Sequence, residues 1–301
     1  MQTKIQSSTE TGYAIALTSS FCSGLSTVIG KYNLEYISPL LMNSLIFSIA
    51  TVAFAVWTLP RRNIRQTFSI TRIGWFWILM FALTSWLALW AFWAGVQKMD
   101  PSLASFLNRS EVLVAIILGI IFLCERFTKL ETLGTVLAFT GILVMRLTLR
   151  VEYSEGFWYV LIGAVFFGIT EFVSKIAVRH VTPVIVAFIR NAFLALFFWL
   201  TLLTDRFDGF EGIETVWPTV IALGLIGPVL ARILYLFALK RLELSKVAVI
   251  SQIQPVFVML IALLSLHQLP TLRETTGGLF LLFGIVVMVW GRYRKRQIIR
   301  T

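Results

Sequence analysis

Four stretches of this chain contain no Asp, Glu, Lys or Arg: residues 11–30, 36–60, 73–97 and 247–272, each 20 to 26 positions long. A helix of about 20 apolar residues crosses the roughly 30 Å hydrocarbon core of a bilayer. In lipid the backbone must satisfy its own hydrogen bonds, so such runs fold as helices. They predict an all-α polytopic membrane protein. Only 14% of the 301 residues are charged, against about 25% in an ordinary soluble domain.

Ten transmembrane helices are expected, at 12–30, 37–59, 73–96, 102–123, 130–149, 156–177, 183–203, 215–239, 245–266 and 273–291. The fifth is the least apolar, because its charge-free part, TLGTVLAFTGILVM, lies between Glu131 and Arg146. With the N-terminus in the cytosol, 15 Lys and Arg fall on the cytosolic side outside the spans and six on the far side. That bias predicts two cytoplasmic termini. The polar first ten residues show no basic start, so no cleaved signal peptide is expected.

The net charge of +11 sits largely in short loops and in the tail GRYRKRQIIR. Topology explains it, and nucleic acid is not an expected partner; the lipid bilayer is. Cys22 and Cys124 lie in apolar stretches without metal or redox spacing. No phosphate-binding glycine loop, HExxH or zinc-ligand cluster occurs, so no cofactor, metal or catalytic residue is expected and the chain reads as a non-enzyme.

The sequence matches itself. At a shift of 143, ETLGTVLAFTGILVM (131–145) lies over ETTGGLFLLFGIVVM (274–288), which aligns Gly134 with Gly277 and Gly141 with Gly284. Asp100 then falls over Glu243 and Ser102 over Ser245. At a shift of 144, Gly24, Lys31 and Pro39 meet Gly168, Lys175 and Pro183. The expected domains are therefore 1–149, a first five-helix repeat, and 150–301, a second repeat with a basic cytosolic tail. Five is odd, so the second repeat enters the membrane inverted. Inverted repeats give two similar packings that open to opposite sides.

Several charges fall inside spans. Glu111, about ten residues into the fourth span, would lie about 15 Å deep, where an exposed charge costs about 2.5 to 3.5 kcal/mol. Arg109 and Glu111 are two apart and point to different faces of a regular helix, so no good pair within the helix is expected. Asn108 and Glu111, three apart, share a face. Gln252 and Gln254 occupy the matching positions of the second half. These residues, with Arg190, Asn191, Arg232 and Tyr235, are candidates for a central polar cavity or for coupling. Arg190 is placed to snorkel or to pair with Glu111 or Glu171. Trp86, Trp90 and Trp93 form a stripe, and Trp90 is the candidate apolar wall. Glu171 and Lys175, four apart, are read as a structural or gating pair. Pro228 and Pro255 are candidate bends, and Gly134 and Gly277 candidate points of close helix approach.

This pattern resembles the drug/metabolite transporter superfamily in its EamA-like branch, over nearly all of residues 12–291. In that branch each half closes with a proline, a glutamate thirteen positions later, a glycine nine later, and then a Gly-Ile/Val run. The first half has Val112, Glu125, Gly134 and GILV; the second has Pro255, Gln268, Gly277 and GIVV. Each half departs at one position, so the glutamate has no symmetric role. The resemblance implies an inner-membrane carrier of small metabolites, often amino acids or related solutes and often exporting them.

The reading is a secondary transporter working by alternating access around a central polar cavity. Its partners would be a small-molecule substrate and a proton or counter-solute. Two rivals predict different behaviour. A non-transporting assembly subunit would be tightly packed at its centre, and a passive channel would show flux without saturation.

Overall fold

A computed structural model describes residues 2–58, 70–114, 117–118, 129–148, 154–204, 209–241, 247, 250–267 and 271–298. Every extended element among them is helical. In chain order these are α1 (Gln2–Asn33), α2 (Pro39–Thr58), α3 (Arg72–Gln97), α4 (Pro101–Asn108), α5 (Lys129–Thr148), α6 (Ser154–His180), α7 (Pro183–Thr204) and α8 (Ile213–Gly224). A π-helical segment (Leu225–Ala231) joins α8 to α9 (Arg232–Arg241), and α10 (Gln254–Leu266) and α11 (Leu272–Ile298) complete the chain. Among the described residues six helices are long and apolar enough to cross a membrane: Thr11–Asn33, Pro39–Trp57, Arg72–Gln97, Glu155–Ser174, Val184–Thr204 and Ile213–Tyr235. Thr132–Val144, Gln254–Leu266 and Thr275–Met288 form shorter apolar helices. The protein is thus a multi-pass helical membrane bundle. Cys124, Glu125 and Gln268 lie outside the described residues, as do the side chains of Glu131 and Lys175.

Local chemistry sets the helix boundaries. Asp100 caps α4: its Oδ1 accepts from the amides of Ser102 at 2.8 Å and Leu103 at 3.1 Å, and Pro101 fills the first turn, where no amide donor is needed. Thr71 caps α3 by accepting from the Gly74 amide at 3.2 Å. The last carbonyls of α3, on Val96 and Gln97, accept from Lys31 Nζ at 2.9 Å each. An ammonium there meets the negative end of the helix. Pro228 lies within the π segment. Its missing amide and its clash with the preceding turn favour such a widening, and Ser19 donates to the Ala231 carbonyl at 2.9 Å.

The helices pack in antiparallel pairs. Gly141 of α5 backs onto the Gly277 carbonyl and Leu281 backbone of α11, while Gly134 faces the Gly284 carbonyl and Met288. In α3 and α6, Gly95 meets Gly156, and Gly163 meets Ala88 and Phe92. A side chain at these glycines would collide with backbone, so the residue type sets the separation. α1 runs against α8, the π segment and α9, with Thr219 on Asn33, Gly227 on Ser26 and Ala238 on Ala16. α2 meets α7 through stacked Phe47 and Phe198 and a 3.0 Å bond from Trp199 Nε1 to Ser48.

The sequence reading expected an unbroken helix over 102–123. Instead α4 ends at Asn108, and residues 109–110 form a turn before the helix resumes at Glu111. Residues 252–253 form the same turn before α10. Bonds correspond at a shift of 143, except that Pro255 has no amide to match the Val112 N bond to Arg109 O. Ser110 N donates to Leu107 O as Ile253 N does to Ile250 O, at 3.0 and 3.1 Å. Leu113 N donates to Ser110 O as Val256 N does to Ile253 O, at 2.9 and 3.0 Å. Pro255 therefore occupies the first turn of α10, where its ring disturbs nothing, rather than bending a continuous helix.

Candidate functional site

The two turns place polar residues in the bundle interior. Arg109 is buried, and its Nη1 lies 3.3 Å from Glu111 Oε1. The expectation that these residues could not pair well is corrected here. It assumed a regular helix, and the turn at 109–110 removes that regularity, so side chains two apart can converge. Asn108 Nδ2 donates to the other Glu111 oxygen at 3.5 Å, in line with their shared face. Arg109 Nε, Asn108 Oδ1 and Ser110 Oγ are buried without a hydrogen-bond partner among the described residues. On the matching turn Gln252 is buried and Gln254 half-buried. Gly24 packs on the Gln254 carbonyl, as Gly168 packs on that of Glu111.

Glu111 lies within electrostatic reach of Glu171 on α6 and Arg232 at the start of α9, as well as of Arg109. Arg190 on α7 feels Arg232 and Glu171. Half-buried Tyr235 feels Glu171, Arg232, Glu111 and Arg109. Four separate elements thus bring Arg109, Glu111, Glu171, Arg190, Arg232 and Tyr235 into one charged interior. Arg232 is the first residue after the π segment that contains Pro228.

Arg190 pairs with neither Glu111 nor Glu171. Its Nε donates to Ser85 Oγ of α3 at 2.9 Å and its Nη1 to Asn191 Oδ1 at 3.3 Å. The guanidinium lies 5.0 Å from the Phe81 ring centroid and 6.0 Å from that of Phe47. Ser85, Phe81 and Phe47 escaped the sequence reading. The one available signal was Ser85 itself, which with Thr84 interrupts a Trp-rich run.

The tryptophan stripe splits. Trp93 is buried and Trp86 half-buried. Trp90 is exposed beside Phe76, Leu79 and Leu83, and meets Tyr159 edge-on at 5.9 Å. Gly134 and Gly277 lie in the α5–α11 crossing, away from these charges. At the far end of α3, Glu155 accepts a hydrogen bond from Lys98 and holds its ammonium above the ordinary lysine range.

Apolar helices long enough to span a bilayer, enclosing charges of both signs, define a multi-pass membrane protein with a polar interior. The EamA-like transporter family matches residues 10–147 and 154–290, and the chain belongs to that family, part of the drug/metabolite transporter superfamily of small-molecule transporters. An uncharacterized transporter of Archaeoglobus fulgidus is 26% identical over 287 residues, covering 94% of this chain and 98% of the relative. An uncharacterized transporter of Synechocystis sp. is 23% identical over 242 residues, covering 76% of this chain and 69% of the relative. These are transporters, not enzymes. A crystal structure at 19% identity superposes with a TM-score of 0.64, covering 95% of this chain and 99% of that one, which shows a shared fold.

Proposed function

We propose that the protein is a secondary transporter of small metabolites, such as amino acids or related solutes, that alternates access around a central polar cavity. Ten spans in two inverted units, 1–149 and 150–301, carry it out, with both termini in the cytoplasm and export as the direction. The observation that carries this reading is the placement of polar side chains at the two matching helix breaks, Arg109 and Glu111 at one and Gln252 and Gln254 at the other. Pseudo-symmetric transporters place their sites where interrupted helices meet near the midplane.

Three features support the inverted arrangement. α5 and α11 cross antiparallel, with Gly134 near Gly284 and Gly141 near Gly277, a pattern unchanged when the halves are exchanged. The packing of α3 on α6 has its counterpart in α8 and α9 on α1. Loop contacts join segments assigned to one side: Tyr36 with Gly212, Lys98 with Glu155, and Gly74 with Val181. Within the cavity, Arg109, Glu111, Asn108, Gln252 and Gln254 line the breaks, Arg232 and Tyr235 line the opposing wall, and Glu171 with Lys175 acts as a structural or gating pair.

Purified protein in liposomes, loaded with one solute and offered the same solute labelled, should show saturable counterflow. Flux without saturation would favour a channel, and no counterflow across an amino-acid and metabolite panel would reject transport. Glu111 is the candidate proton carrier. Glu111→Gln should abolish any pH-driven component, whereas unchanged pH dependence assigns coupling to a counter-solute.

A further inference from the structure

Among the described residues the interior charge does not balance. Arg109, Arg190 and Arg232 face Glu111 and Glu171 in one electrostatic neighbourhood. Arg109 is held by Glu111 at 3.3 Å. Arg190 feels both Glu171 and Arg232 but forms an ion pair with neither Glu111 nor Glu171, so among the described residues three cations share two carboxylates and Arg190 is left without a direct counter-charge. Among the described residues no carboxylate lies within ion-pair distance of it. A buried charge without a counter-charge is costly, and aromatic faces and neutral acceptors offset only part of that cost.

The groups around Arg190 are incomplete in a particular way. Nε and Nη1 are engaged by Ser85 and Asn191, while Nη2 donates to nothing among the described residues. Asn191 is 1% exposed, and its Nδ2 is buried with no hydrogen-bond partner. Its Oδ1 is taken by Arg190, so the amide is oriented with its donor directed elsewhere. Two adjacent side chains thus each keep a spare N–H, and one is cationic. The complement is a pair of acceptor oxygens carrying one negative charge, and a planar carboxylate suits a guanidinium edge. The rings of Phe81 and Phe47 flank the same guanidinium and offer an apolar surface to whatever the carboxylate is attached to.

We propose that Arg190 and Asn191 form the anion-binding subsite of the transporter and that the transported solute carries a carboxylate. Arg109, the sequence-based candidate for holding a substrate anion, is instead occupied by Glu111. The proposal rests on the transport reading for the word transported, but the subsite itself can be tested by binding alone.

The test uses full-length protein in lipid nanodiscs and a fixed panel of probes: phenylalanine, leucine, glutamate, benzoate and butyrate, each beside its carboxamide. Thermal stabilisation and equilibrium binding are read for each pair. At least one carboxylate should stabilise the wild type and bind at least about tenfold more tightly than its amide, the loss expected when a charge-assisted bond becomes neutral. Arg190→Met should abolish that difference, and Arg190→Lys, which keeps charge but loses the fork, should retain only part of it. Without ligand, Arg190→Met should melt no lower than wild type, because it removes an uncompensated charge.

Equal response to acid and amide in the wild type, no response to any carboxylate, or a full carboxylate preference in Arg190→Met would each overturn the proposal. The wild-type comparison stands even if a variant fails to fold. Carboxylate binding without counterflow would reject transport and leave the subsite; counterflow of neutral or cationic solutes that persists in Arg190→Met would do the reverse.

Discussion

Glu111 compensates Arg109 at 3.3 Å, and the proton-carrying role proposed for it conflicts with that contact. Removing one partner of a buried pair leaves the other uncompensated, at about 3 to 5 kcal/mol, whereas removing both can be nearly neutral. Glu111→Gln should therefore lower the melting temperature in nanodiscs, Arg109→Gln should do likewise, and the double variant should recover most of the loss. Purely additive losses would mean that the 3.3 Å contact carries little coupling. The sequence placed both residues at depth but could not show them together, because helical periodicity describes only unbroken helix. Asn108 with Glu111 was legible because a three-residue spacing brings side chains near each other even as the helix tightens toward its end.

Glycine spacing was the most legible feature of the helical elements. Gly134, Gly141, Gly277 and Gly284 recur seven apart on matching helices, which predicts close approach, and the α5–α11 crossing uses them. Gly141→Ala would drive a methyl group into the Leu281 backbone, which cannot swing aside like a side chain. A loss of about 1 to 3 kcal/mol is expected. The adjacent Thr140→Ala, on the exposed face, should melt as wild type does; equal melting of both variants would contradict the crossing. The breaks after Asn108 and before Gln254 were not legible. Pro255 hinted at one of them, but no residue in NRSE marks the other. The equivalence of the two breaks arises in the paired backbones rather than in residue type. Likewise Pro228 was read as a bend, and the π widening it accompanies depends on Ser19 from another helix donating to the Ala231 carbonyl.

For the whole molecule, the proposed arrangement of sides rests on charge bias and repeat. In a protein free of Cys22 and Cys124, Ser38→Cys and Phe210→Cys should react with a membrane-impermeant maleimide in intact cells. Ile70→Cys and Thr182→Cys should react only after permeabilisation. The contacts of Tyr36 with Gly212 and of Gly74 with Ile70 and Val181 make each set one face. Mixed labelling within either set would break the topology. What the repeat does not duplicate is the charge. Arg190 and Arg232 have apolar residues at the corresponding positions of the first half, so a pseudo-symmetric frame encloses an asymmetric interior, which only assembly of the four contributing elements reveals.

At the glycines where α5 meets α11, peptide rests on peptide, and no side chain of Gly134, Gly141 or Gly284 has to be unlocked there. Such a joint resists separation yet leaves little to hinder small rotations, so it suits a pivot better than a latch. Bulk added there would be felt as stiffness about that axis even in a protein that still folds.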